Sequence, residues 1–115
     1  GRMPDAEAYL KKGLEAAPGD QEISLSLAAL YQTSGRFEEA KTLYTQLGER
    51  FPGDSRIVYN RALMALKMQQ FAEAVTLFEK YLDMPGAYQK RGSVARTVEQ
   101  LRQQLQMPPP KWAKK

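Results

Sequence analysis

The chain repeats itself. Displaced by 34 residues, the sequence lays Phe37, Glu39, Ala40, Thr42 and Leu43 onto Phe71, Glu73, Ala74, Thr76 and Leu77 without a change. The same offset pairs Ala28 with Ala62 and Leu30 with Met64. One step backwards pairs Pro52 with Pro18 and Ala40 with Ala6. A period of this size belongs to stacked helical arrays, in which one unit cannot bury its apolar face alone and its neighbours must cover it.

Within a unit the apolar spacing is helical. Leu27, Leu30 and Tyr31 share one face of a first helix, and Phe37, Ala40, Leu43, Tyr44 and Leu47 share one face of a second. Gly35 lies between them and can take the positive φ that ends a helix at little cost. The second helix stops near Phe51-Pro52-Gly53-Asp54, because Pro52 has no N–H to continue it and Asp54 can cap the next helix. Ala28, Ala40, Ala62 and Ala74 are small where paired helices must cross closely. The pattern predicts six helices, over residues 4–17, 21–33, 37–50, 55–68, 71–83 and 88–106. In the last, Val94, Ala95, Val98, Leu101 and Leu105 form the stripe, Gln100, Arg102, Gln103, Gln104 and Gln106 cover the other side, and Gly92 weakens the start.

These positions resemble the tetratricopeptide repeat (TPR) family, a 34-residue helix-turn-helix reading W-x2-L-G-x2-Y, then A-x3-F, then P. One unit supplies Ser24, Leu27-Ala28, Tyr31, Ala40, Tyr44 and Pro52; the next supplies Val58, Arg61-Ala62, Ala65, Ala74 and Phe78, with Pro85 one residue early. Ser24 and Val58 stand where the family often has Trp, Arg61 where it has Leu, and Ala65 where it has Tyr. The resemblance implies an all-α, TPR-type right-handed superhelix of antiparallel helix pairs. Its expected parts are a half-repeat (3–19), two full repeats (20–53 and 54–86) and a capping helix (87–107). Gly1-Arg2 ahead of Met3 reads as a cleavage scar. Residues 108–115 read as a disordered, Pro-rich basic tail in which Trp112 sits among three lysines.

Composition narrows the chemistry. With 115 residues and 43% hydrophobic content the chain can build one core, while the absence of Cys and His removes disulfides, zinc sites, thiol nucleophiles and imidazole bases together. Glu38 and Glu39 point in different directions on a helix, and Gly35 and Gly53 are isolated turn residues, so neither an acid–base pair nor a phosphate loop is built. We expect no enzyme activity and no cofactor. No apolar run reaches membrane-spanning length. The sequence is compatible with the cytoplasm and with a bacterial periplasm.

The net charge of +4 comes from Arg2, Lys111, Lys114 and Lys115, whereas Met3 to Pro110 balances 13 basic against 13 acidic residues. Nucleic-acid or anionic-surface binding through the basic last third is therefore the weakest of three readings. The leading one derives from the resemblance: the first helix of each pair lines a concave groove that receives a partner peptide or protein. Its lining residues would be Glu22, Leu25, Ala29 and Gln32, then Arg56, Tyr59, Asn60, Leu63, Leu66 and Lys67, then Arg96 and Glu99. The clamp that some TPR domains use for the acidic tail of large chaperones is matched only by Asn60. Leu25, Ala29, Gln89 and Ser93 occupy its other places, so that ligand is not expected. The remaining reading is a homo-oligomer, in which the uncovered half-repeat packs against a second copy.

Overall fold

Helix starts and stops obey local chemistry. In the computed structural model, Asp20 accepts from the Ile23 N–H at 2.9 Å and opens α2 (Gln21–Thr33), and Asp54 accepts from the Arg56 N–H at 3.0 Å and opens α4 (Ser55–Lys67). A carboxylate there satisfies an orphan N–H and meets the positive end of the helix dipole. Helices α3 (Phe37–Arg50) and α5 (Phe71–Leu82) begin without a side-chain cap. Their entry is fixed by the preceding helix end. The Arg36 and Gln70 N–H groups reach back to the Tyr31 and Ala65 carbonyls, both at 2.8 Å, across residues Gly35 (φ 79°) and Gln69 (φ 60°) in the left-handed region. These are Schellman closures, and each folds a helix pair into a tight hairpin.

The structure describes residues 3–85, 90–110 and 112. The expected scar, the expected helical residues Tyr88 and Gln89, and tail residues Lys111, Lys114 and Lys115 lie outside them. Helix α1 (Met3–Ala16) precedes α2, and α6 (Arg91–Gln104) comes after α5; the described residues contain no strand. The fold is thus all-α and TPR-type. Helix α6 ends two residues before the expected stop because Gln106 takes φ 59° and Met107 closes onto the Arg102 carbonyl at 2.7 Å.

Contacts divide the chain into two units, 1–52 and 53–115. In the first, α2 packs against α1 and α3; in the second, α5 packs against α4 and α6. Ala28, Ala40, Ala62 and Ala74 are all 0% exposed, as close helix crossing requires. The second unit holds a continuous core of Val58, Ala65, Val75, Phe78, Tyr81, Val94, Val98 and Leu101. Described residues after α6 lie on that unit. The Pro108 carbonyl accepts from Arg102 at 2.8 Å, Pro110 is buried and Met107 packs against the core.

Candidate functional site

The expected groove residues lie on three helices, α2 in the first unit and α4 and α6 in the second. On α2, Glu22, Leu25, Ala29 and Gln32 recur at helical spacing and share one face. Glu22 and Ala29 are exposed and Leu25 is half-buried. Gln32 is tied inward, its Oε1 accepting from the Tyr44 hydroxyl at 3.0 Å. Burial also pushes the Tyr44 phenol above its ordinary value.

On α4 the face runs Arg56, Tyr59, Asn60, Leu63, Leu66, Lys67. Arg56 pairs with the capping Asp54 at 2.8 Å, which draws the Asp54 carboxyl below the usual range. Asn60 donates to the Arg56 carbonyl at 2.8 Å within its own helix. Tyr59 meets Phe78 edge-on at 6.1 Å and Tyr81 at 5.3 Å between ring centres, while the Lys90 ammonium lies 4.8 Å from its ring centroid. Leu63 and Leu66 are half-buried against the same core, and Lys67 is exposed. On α6, Arg96 and Glu99 lie one turn apart, and both are exposed. Thus Tyr59 is joined to the core and to Lys90, and the exposed members are Glu22, Ala29, Arg56, Lys67, Arg96 and Glu99.

Sequence reasoning missed a polar cluster in the first unit. Arg36 grips Glu7 at 2.7 Å and Glu39 at 2.6 Å; Lys11 adds a contact to Glu7 at 2.9 Å, and the Tyr31 hydroxyl donates to Glu7 at 3.2 Å. The Arg36 guanidinium also stacks 4.5 Å from the Tyr31 ring centroid. Arg36, Lys11 and Tyr31 hold the Glu7 carboxyl down at about 2, while burial and then Glu7 push the Tyr31 phenol up. At neutral pH each is locked in one protonation state, which suits a structural tie and not proton transfer. Its partners are 29 residues apart, and no local spacing announces the pairing. Two basic residues of the last third are likewise engaged internally: Arg91 donates to the Leu82 carbonyl and Arg102 to Glu79 at 2.7 Å.

Two clefts lie in the first unit. One, of about 330 Å³, is walled by Leu27, Tyr31, Thr42, Leu43 and Gln46. The other, of about 380 Å³, lies where Gly13 lets Ile23 approach α1, a Cβ at Gly13 being 3.2 Å from the Ile23 Cδ1; Tyr9, Leu10 and Lys12 complete it. Among the described residues, no helix is long and apolar enough to cross a membrane.

Comparison with known proteins agrees with this architecture. Two MamA structures, MSR-1 C2 and AMB-1 P212121, superpose with TM-scores of 0.72 and 0.71 at 19% and 20% identity, over 92% and 87% of this chain. The chain spans 59% and 57% of their lengths, and the likeness shows the fold. No curated protein matches the sequence. Tetratricopeptide repeat models match residues 1–66 and 55–88. With family models over these spans, a 34-residue recurrence and buried alanines in each helix pair, the chain belongs to the tetratricopeptide repeat family, a family of protein-interaction modules.

Proposed function

We propose that the chain is a non-enzymatic scaffold that binds a partner protein or peptide, with contacts on the α2 face in the first unit and, in the second unit, on the α4 face together with Arg96 and Glu99 of α6. The observation that carries this is the mixed face of α4. Half-buried Tyr59, Leu63 and Leu66 alternate there with Asn60 and exposed Lys67, giving apolar area beside polar groups able to meet a peptide backbone. Tyr59→Ala would also remove a core contact, and Arg56→Glu would disturb the Asp54 cap, so neither separates binding from folding. A photo-crosslinking side chain placed at Ala29 or Lys67 does. In the cells that make the protein, these positions should capture a discrete partner band, and the exposed α5 position Thr76 should not. Capture only at Thr76 would refute the proposal.

A second reading has its own observation. Tyr9 is 77% exposed beside the 380 Å³ cleft on α1, an apolar feature suited to a second copy of the chain. Sedimentation should then show association that Tyr9→Ser weakens. A monomer at every concentration would remove this reading.

A further inference from the structure

We propose that the surface formed by α5 and α6 is a binding site for an extended proline-rich peptide carrying an aromatic residue, and that residues 107–110 and Trp112 of this chain fill it in cis. The inference concerns a different surface from the α2 and α4 faces and stands apart from them.

Met107-Pro108-Pro109-Pro110 offers no N–H from its three prolines, and each residue before a proline is driven to extended geometry, so the segment presents carbonyls to whatever it lies on. The surface meets it with three fitted features. Arg102 donates to the Pro108 carbonyl at 2.8 Å and is itself aimed by Glu79 of α5 at 2.7 Å. Pro110 is buried while Pro108 and Pro109 are exposed, so one proline is selected. Trp112 then walls a cavity of about 220 Å³ with Leu82, Asp83, Arg91 and Ala95, and Arg91 holds the rim by donating to the Leu82 carbonyl. A fixed donor for a carbonyl, a slot for a proline and a pocket for an aromatic ring are the elements by which polyproline segments are recognised. Trp112 keeps 45% of its surface exposed beside that cavity, so its ring does not fill the pocket.

The probe is a fluorescein-labelled peptide, Met-Pro-Pro-Pro-Lys-Trp, titrated into the full chain and into the full chain carrying Pro110→Ser and Trp112→Ala. The substituted residues lie outside every helix. A tethered occupant competes at an effective concentration on the order of 1 mM, so a peptide of roughly 100 μM intrinsic Kd should bind the intact chain about tenfold more weakly than the variant. Arg102→Gln added to the variant should abolish that binding. Equal affinity for intact and variant chains, or no saturable binding to the variant at millimolar peptide, overturns the proposal. Independently of any variant, Trp112 is the single tryptophan of the chain. Its acrylamide quenching in the intact protein should be at least about twofold slower than in the free peptide, given that about half of its surface is covered. Equal quenching overturns cis occupancy.

Discussion

Among the described residues, buried apolar side chains other than proline number six in the first unit, Leu27, Ala28, Tyr31, Ala40, Tyr44 and Leu47, and fourteen in the second. None of the six belongs to α1. The first unit instead ties α1 down through Glu7, which reaches Arg36 at the entry of α3 and the Tyr31 hydroxyl on α2. The second unit closes α4, α5 and α6 around Phe78, Tyr81, Val94 and Val98. The 34-residue offset puts Lys41 at the place of Glu7 and Gln70 at the place of Arg36, so the repeat does not carry the carboxylate–guanidinium pair forward. One repeat pattern therefore fixes backbone and crossing points, and leaves open whether a helix is held by apolar area or by charge.

The largest effect should come from positions that the offset equates. Phe78, 2% exposed, and the half-buried Leu10 stand at corresponding places. Phe78→Ala should cost about 3–5 kcal/mol in urea unfolding, whereas Leu10→Ala should fall well below the roughly 2–5 kcal/mol of a fully buried leucine. Equal costs would break the contrast. Where the units coincide, they should respond alike: Ala40→Leu and Ala74→Leu should each lose about 1–3 kcal/mol by forcing helices apart. A difference larger than that range would show that the two crossings are not equivalent.

Acid separates the units more finely. The Glu7 carboxyl lies at about 2 against an ordinary 4.5, so its stabilising contribution is complete above 4.5 and is lost as pH falls toward 2. Glu7→Gln should flatten that limb for α1, read as amide exchange protection of α1 from neutral pH down to about 2. Glu39 and Asp54 are also drawn down, by Arg36 and Arg56, so some acid dependence remains in both units. If α1 protection in the variant still falls as steeply, Glu7 is not the tie.

The features legible in the sequence are those that are periodic or local. The buried alanines, the Asp54 cap and the helix limits to within a few residues can be read there, because sterics and capping act within one or two turns. Glu7 with Arg36, Arg102 with Glu79, and the seat of Pro110 join residues by contacts whose spacing matches no helical period. The groove set is legible only as a face. Spacing puts Tyr59 and Gln32 on one side of their helices, yet it could not say that Phe78 and Tyr81 hold the first or that Tyr44 holds the second.

The smallest effect isolates the backbone. Gly35 and Gln69 occupy the same left-handed place in the two hairpins, with φ 79° and 60°. A Cβ built at Gly35 meets nothing within 4 Å, so a side chain there costs only conformational energy. That energy is roughly 1–2 kcal/mol for an L-residue, offset by the roughly 0.5–1 kcal/mol of unfolded-state entropy that glycine brings. Gln69→Gly should therefore stabilise by about 0.5–1 kcal/mol, and Gly35→Gln should destabilise by a similar amount. Combining them should return stability to within about 0.5 kcal/mol of the parent, since the sites lie in separate hairpins and should add. A doubly exchanged chain that differs from the parent by more than this would mean that the two hairpins do not share one closure, and that the repeat is less regular in backbone than its hydrogen bonds imply.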